Sequence, residues 1–305
     1  MIERVVTRIE MPSFFKQPEL RGILKQLRPD LPKKIPCPVK VEPRTNRYML
    51  VGTAFDYLLR FEILRRAPRS QSERWVAEHA PDILWRETEK GHMGLMLDWQ
   101  NEPESFASNL ELRECAQRLI DHAKLALVDY ARDRSPKECS VREMAGHAIR
   151  MAKLDSLLRS MRLAVDFEVA SSDDVDDLVA MLDIVPFENL LGGGRVLLNP
   201  VFDDASELVG GADVDLISGD MIVDIKTTKK PVVEAEQLDQ LLGYFLLARK
   251  QTELDPTFPD IKRVGLYFSR HGHLLCFATT EWTSQPHFLE LEERFFSTAK
   301  RLFET

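Results

Sequence analysis

The chain has 305 residues, of which 44% are hydrophobic and 30% are charged, a composition typical of a folded protein with one large domain or two smaller ones. No apolar run approaches the roughly 20 residues of a membrane helix, and the N-terminal sequence carries early charges of both signs, so we expect a cytoplasmic protein with no membrane partner. The four cysteines form no CxxC pair, which argues against a zinc site and a disulfide framework.

The net charge of -8 is unevenly distributed along the chain. Residues 1–74 hold 16 Lys and Arg against 8 Asp and Glu, whereas residues 75–305 hold 25 against 41. A basic N-terminal segment can follow the phosphates of a nucleic acid while the acidic remainder keeps the protein soluble. The same residues could equally form an ordinary solvated surface, so charge alone leaves both interpretations open.

The first two thirds of the chain have helical patterns. We expect a short helix near residues 18–27 and, from the spacing of the apolar residues, a longer one over 51–66. From residue 71 to about residue 191 the pattern remains helical with several breaks, and Ser140 is a candidate N-cap for a helix that extends to Met161.

A triple glycine at residues 192–194 marks a change to strands. The patterns that follow predict strands over 195–202, 212–217 and 221–226, a helix over 232–250, strands over 263–268 and 273–279, and a last helix over 286–303. We therefore predict an α/β protein with four parts: a basic segment (1–50), a first core helix (51–66), a helical insertion (67–191) and the core (192–305).

Residues 211–230 contain the most informative pattern in the chain. Apolar residues alternate with charged ones in two runs, and Gly219-Asp220 between the runs is typical of a two-residue hairpin turn. Residues whose numbers sum to 439 then face each other. Asp215 is expected opposite Asp224, and Asp213 opposite Lys226, all on one face of the hairpin.

This face has the chemistry of a metal site. Two carboxylates that are cross-strand neighbours repel each other unless a cation lies between them, and in proteins this cation is usually a divalent metal ion. Asp215 and Asp224 are therefore candidate ligands, and Lys226 beside them could activate a water or stabilise developing negative charge. Asp213 is an alternative strand carboxylate, since it shares the face and could form an ion pair with Lys226.

The predicted helix after the hairpin carries a polar stripe. Gln237, Gln240 and Tyr244 are spaced i, i+3 and i+7 and share one face of the helix, which would need polar partners if the helix packs over the hairpin. The alternative is an ordinary helix with a half-buried tyrosine.

These elements and motifs together resemble the PD-(D/E)XK nuclease superfamily, in particular its RecB-like branch, which includes the RecB and AddB nuclease domains and the CRISPR adaptation exonucleases. Asp224-Ile225-Lys226 matches the D/E-x-K element, Asp215 the aspartate of the preceding strand, and Gln240-Leu-Leu-Gly-Tyr244 the QxxxY helix. The resemblance covers residues 52–62 and roughly 195–278. It implies a restriction-endonuclease-like core, a mixed sheet flanked by helices, and hydrolysis of DNA phosphodiesters with Mg²⁺ or Mn²⁺.

The resemblance also implies roles for individual residues. It assigns metal binding to Asp215, Asp224, the carbonyl of Ile225 and Asp56, positioning or deprotonation of the attacking water to Lys226, and contact with DNA or orientation of catalytic groups to Gln240 and Tyr244.

The assignment of Asp56 departs from the family pattern. RecB-like enzymes carry G-x-x-x-H on an early helix, whereas Gly52 is followed here by Asp56 at the histidine position. A carboxylate oxygen suits a hard cation such as Mg²⁺. Glu62 is a rival ligand, because a carboxylate on an apolar helix face usually has a partner. An i,i+4 salt bridge with Arg60 is the structural alternative for Asp56.

Two missing patterns narrow the expectation further. Among the cysteines only Cys276 follows the D-x-K and QxxxY motifs of the core, whereas iron-sulfur members of the branch have three grouped after their core, so we expect no cluster. The chain has no GxxxxGK[ST] motif, so a helicase or ATPase motor would be a separate partner. The predicted function is a DNA nuclease for repair, recombination or phage defence. The alternative is a catalytically silent nuclease-like module for DNA binding or assembly.

Overall fold

The computed structural model describes residues 14–28, 37–90, 96–98, 109–230 and 232–303. The chain divides into two compact units. The sheet unit comprises the described parts of 1–40, 69–73 and 185–305, and the helical unit comprises those of 41–68 and 74–184. The helix predicted over 51–66, which the resemblance places with the nuclease core, is part of the helical unit.

Helices and strands follow the predicted order, helical first and stranded last. The α-helices are α1 (Pro18–Leu24), α2 (Tyr48–Arg66), α3 (Ala80–Lys90), α4 (Asn109–Arg132), α5 (Glu138–Ser160), α6 (Ser172–Asp183), α7 (Phe187–Leu190), α8 (Asp203–Glu207), α9 (Ala235–Leu254), α10 (Thr280–Thr283) and α11 (Phe288–Phe303). The strands are β1 (Gln71–Ser72), β2 (Met96–Asp98), β3 (Arg162–Ala164), β4 (Val196–Leu198), β5 (Leu216–Ser218), β6 (Met221–Lys226), β7 (Arg263–Phe268) and β8 (His273–Ala278). Short 3-10 segments are Phe14–Lys16, Lys25–Leu27, Val76–His79 and Ser269–His271.

A mixed six-stranded sheet with the order β1-β4-β5-β6-β7-β8 forms the sheet unit, and helices flank it. Strand β6 runs antiparallel to β5 and parallel to β7. This arrangement confirms the predicted α/β class with a mixed sheet. Helix α9 follows β6 in sequence and packs against β6 and β7, which places the predicted QxxxY residues beside the hairpin.

The predicted hairpin register is confirmed. Leu216 faces Val223 and Ile217 faces Ile222, so the paired numbers sum to 439. The predicted strand 212–217 is too long, however, because β5 begins only at Leu216. Asp213 forms an isolated antiparallel bridge with Val201. The chain before β5 therefore bonds to the segment that follows β4, and the expected ladder pair between Asp213 and Lys226 is absent from the described β5-β6 ladder.

Helix α5 shows where the prediction of a helix start was wrong. Its N-cap is Lys137, so Ser140 lies inside the first turn instead of capping it. A serine does cap α6, where the Ser171 hydroxyl accepts a hydrogen bond from the Asp174 amide at 3.3 Å. Sequence patterns also missed β1, β2 and β3, which have two or three residues each and are too short to show a strand period.

The core of the sheet unit lies between the sheet and α9. Helix α9 contributes Leu241, Leu242, Phe245 and Leu246, all at most 2% exposed, and the strands contribute Ile217, Ile222, Val264 and Leu266. Burial of this stripe fixes which face of α9 points toward the sheet. Over the ranges that the structure describes, no helix is both long and apolar enough to cross a membrane.

The hairpin turn gives a stability prediction. Gly219 has φ +60°, and a Cβ there would lie 2.5 Å from the carbonyl oxygen of Gly193. We expect Gly219→Ala to lower the free energy of unfolding by at least about 1–2 kcal/mol, the usual penalty for a Cβ in this conformation, as measured by urea denaturation. Gly22→Ala in α1 is the control, because no atom lies within 4 Å of its Cβ position and alanine favours helix. An equal loss in both variants would contradict this account of the turn.

Candidate active site

Polar side chains from a hairpin and a helix meet at one end of the sheet unit. Asp224 and Lys226 are two residues apart on β6 and so share one face of the strand. Asp215 is the residue directly before β5, the strand that pairs with β6. Gln240 and Tyr244 are one helical turn apart on α9. Of the residues predicted for the site, these five are brought together with the main chain of Ile225 between Asp224 and Lys226.

The two carboxylates have different surroundings. Asp224 is 4% exposed, and Asp215 is half-buried. The Asp215 side chain reaches across the hairpin, where Oδ2 accepts a hydrogen bond from the backbone amide of Ile225 at 2.6 Å. Burial and then the charge of Asp224 raise the pKa of Asp215 to about 7. The repulsion expected from the cross-strand pairing is therefore present, and a bound cation would relieve it.

Lys226 lies between a carboxylate and an amide. Its Nζ is 2.5 Å from Asp224 Oδ2 and donates a hydrogen bond to Gln240 Oε1 at 3.1 Å. Burial acts to lower the pKa of the ammonium, but the charge and hydrogen bond of Asp224 outweigh burial, so the pKa is raised. Lys226 is thus held as a charged hydrogen-bond donor, which favours positioning and charge stabilisation over proton abstraction in this state.

Gln240 connects Lys226 to Tyr244. While its Oε1 accepts from Lys226, its Nε2 donates to the Tyr244 hydroxyl at 2.7 Å, so the amide orientation is fixed at both ends. Tyr244 is 7% exposed and its ring stacks on Phe202, with centroids 5.9 Å apart. Burial and then the charge of Asp224 raise the pKa of the Tyr244 phenol well above its ordinary value, so it stays neutral.

Asp56 belongs to the helical unit and is engaged there by its helix neighbour. It forms an ion pair with Arg60 one helical turn later, the i,i+4 salt bridge that the sequence suggested as an alternative to metal binding. The Arg60 guanidinium also lies over the ring of Tyr57, 4.4 Å from its centroid. The role of Asp56 as a metal ligand stays a prediction.

Glu62, the rival ligand, is the centre of a buried network in the helical unit. Its oxygens accept hydrogen bonds from Arg65 at 2.5 and 2.9 Å, from Arg66 at 2.6 Å and from Tyr130 at 2.7 Å. Burial alone would raise the pKa of Glu62, but these donors lower it. The partner that an apolar-face carboxylate requires is therefore supplied by two arginines and a tyrosine.

Contacts that depend on the pairing of β6 with β7 also support the site, and no sequence pattern predicts them. Lys226 is paired with Phe268, which brings the next residues, Thr227 and Ser269, side by side. The buried Ser269 hydroxyl donates to the Thr227 hydroxyl at 3.0 Å. This bond anchors the chain directly after Lys226. No local pattern indicates it, because parallel register between strands separated by a helix is a tertiary property.

The donor set fits a hard divalent cation. Carboxylate and carbonyl oxygens are the ligands that Mg²⁺ and Mn²⁺ prefer, and Mg²⁺ keeps several of its waters. Among the described side chains no group of three or more His, Cys, Asp or Glu residues lies close enough to form a metal site. Asp215 and Asp224 would therefore supply two side-chain ligands, with main-chain oxygen and water completing the coordination.

The raised pKa of Asp215 predicts how stability depends on pH without metal. The folded protein binds this proton more tightly than the unfolded chain, so the stabilisation is complete below pH 3.8 and is lost as the pH rises to about 7. Urea denaturation with a chelator across this interval should show the decline, and Asp215→Asn should remove it. Asp260→Asn, at an exposed carboxylate, should not. An unchanged pH profile in Asp215→Asn would refute the assignment.

Comparisons with known proteins identified no relative of this chain. No protein-family model matches the chain, and neither a curated protein nor a solved structure matches it. The function is therefore inferred from the geometry and chemistry of the site itself.

Proposed function

We propose that the protein is a metal-dependent nuclease that hydrolyses phosphodiester bonds of DNA, with a core of the PD-(D/E)XK type and its RecB-like branch. The observation that best supports this proposal is the position of Lys226. Its ammonium lies between the buried carboxylate of Asp224 and the amide of Gln240, beside a second carboxylate, Asp215. A site that hydrolyses a phosphodiester needs both clustered carboxylates and a fixed cationic donor.

The carboxylates and the carbonyl of Ile225 would hold Mg²⁺ or Mn²⁺, with Asp56 as a further predicted ligand. When bound, the ion supplies Lewis-acid stabilisation of the negative charge that develops on the phosphate and lowers the pKa of a bound water. Asp215 must release its proton for the ion to bind, since a metal ligand is deprotonated. The hydrogen bond from the Ile225 amide holds the Asp215 carboxylate against β6, at the residue that follows Asp224.

Lys226 provides the fixed positive charge beside the reacting phosphate. Because Asp224 raises its pKa, it remains an ammonium that can orient the attacking water or donate to a non-bridging phosphate oxygen. The hydrogen bond to Gln240 restricts the position of the ammonium, and the hydrogen bond from Gln240 to the Tyr244 hydroxyl restricts the orientation of the Gln240 amide. Such preorganisation needs no rearrangement of the protein when the charge develops.

The test is incubation of the purified protein with linear, circular and single-stranded DNA and with RNA, in Mg²⁺, in Mn²⁺ and in chelator. We expect DNA cleavage only with a metal, and thermal stabilisation of the protein by Mn²⁺. Cleavage of RNA alone would refute DNA as the substrate. Stabilisation without any cleavage would favour the silent binding module, and absence of both would overturn the proposal.

A further inference from the structure

Helix α9 carries a fully buried carboxylate one residue before Gln240. Asp239 is 0% exposed, and its two oxygens accept hydrogen bonds from Nε and Nη2 of Arg28, each at 2.5 Å. A second guanidinium approaches from α1, with Arg21 Nε 3.6 Å from Asp239 Oδ2. Because a buried carboxylate is stable only when paired, this bidentate contact fixes the position of the first turns of α9.

Phe14 contacts the same helix on the other side of Gln240. The ring is 2% exposed and meets the ring of Tyr244 edge-on, with centroids 6.1 Å apart. It also covers Gly243, where a Cβ would lie only 2.1 Å from Phe14 Cε2. Only a residue without a side chain lets the phenyl ring approach the backbone of α9 so closely.

We propose that Phe14 and Arg28, here called the N-terminal clamp, are positioning residues that hold Lys226 in place through α9. Arg28 binds the residue before Gln240, and Phe14 covers Gly243 and Tyr244, so the clamp fixes both ends of the segment that carries the Gln240 amide. This inference rests on the proposed function for its catalytic consequence, but the positioning of Lys226 can be measured separately.

Distances explain why the clamp matters for Lys226. The hydrogen bond from Lys226 to Gln240 is 3.1 Å long, near the upper end of the usual range for a nitrogen donor. A slide or rotation of α9 by about 1 Å would break it, and misplacement on this scale can lower a rate by about 100-fold. The contact with Asp224 would remain, because that residue lies on β6 with Lys226.

The clamp variants are Phe14→Leu and Arg28→Lys in the full-length chain. We expect kcat for DNA cleavage to fall by about 10- to 100-fold with KM unchanged, since the clamp would act on the reacting groups and not on substrate binding. The matched control is Phe288→Leu, because Phe288 is 1% exposed and packs on Phe245 of the same helix, 6.2 Å between centroids. It removes similar core volume away from Gln240 and should leave kcat unchanged.

Gly243→Ala supplies an independent test by rescue. The added methyl group should displace Phe14 and lower kcat even though alanine favours the helix more than glycine does. Phe14→Ala in the same chain makes room for the methyl group. The double variant should therefore recover part of the activity that Gly243→Ala loses, which a simple sum of two destabilising changes would not produce.

The deciding readout does not require cleavage. The rate at which an acylating reagent modifies Lys226, followed by mass spectrometry, should rise in both clamp variants toward the rate in Gln240→Ala, and should stay at the wild-type rate in Phe288→Leu. If the clamp variants keep wild-type labelling, or if Phe288→Leu raises it equally, the positioning role is wrong. If the wild type cleaves no substrate, the proposed function fails while the labelling still decides the clamp.

Discussion

Asp224→Asn is expected to abolish metal-dependent DNA cleavage, with a loss of about 1,000-fold or more. Asparagine has nearly the same shape, so packing at this 4% exposed position should persist. The variant loses an anionic metal ligand and the counter-ion of Lys226, which lies 2.5 Å away. Initial cleavage rates on the preferred DNA substrate measure the loss of catalysis, and the loss of thermal stabilisation by Mn²⁺ measures the loss of metal binding.

Asp220→Asn is the matched control for Asp224→Asn. Asp220 is in the hairpin turn, where its side chain is 39% exposed and pairs with Arg263 at the surface. Asparagine suits this turn, and a surface ion pair contributes little to stability, so activity should be retained.

The Asp224→Asn variant should also lower the pKa of Asp215, because the charge of Asp224 is one of the two main causes that raise this pKa. Full activity in Asp224→Asn would refute the site.

Lys226→Met is expected to lower the cleavage rate by about 100- to 10,000-fold, the range usual for loss of a positioned acid-base or charged group. Methionine keeps the apolar stem but removes the ammonium that Asp224 and Gln240 hold. Because both carboxylates remain, stabilisation by Mn²⁺ should be retained or increased. Single-turnover cleavage rates and melting temperatures with and without Mn²⁺ separate the two properties.

Lys262→Met controls for the loss of a lysine, since Lys262 is 69% exposed and directly precedes Arg263, which pairs with Met221 at the opposite end of β6 from Lys226. It should cleave at the wild-type rate. A Lys226→Met protein that no longer responds to Mn²⁺ would show that the lysine supports the fold of the site and not the reaction. The combination of lost cleavage and kept metal response is specific to a residue that acts on the substrate or the water.

The hairpin was predictable because its information is local. A two-residue turn and a period of two fix which residues face each other, and the observed pairs Leu216–Val223 and Ile217–Ile222 follow that register. The helix start at residue 138 was not predictable in the same way. Lys137 occupies the N-cap position of α5 without a side-chain capping bond, although Ser140 is a better capping residue in isolation by about 1 kcal/mol, a preference too small to determine where a helix begins.

The partners of charged residues were the least predictable part of the site. The sequence offered Asp213 as an ion-pair partner of Lys226, whereas the structure pairs Lys226 with Asp224. The β5-β6 ladder begins only at Leu216, and Asp213 lies outside it in an isolated bridge with Val201. For Glu62 the sequence indicated only that a partner was needed. The partners proved to be neighbours on the same helix and Tyr130, which is far away in the chain.

The sequence by itself determined the α/β class, the hairpin register and the residue types at the candidate site, because each follows from periodicity and short-range spacing. Only the tertiary structure decided which groups meet Lys226, how Gln240 joins it to Tyr244, and that Phe14 and Arg28 hold the same helix. These contacts join residues up to 230 positions apart in the chain. Their geometry depends on how α9 packs against the sheet and against residues 14–28, which no local pattern encodes.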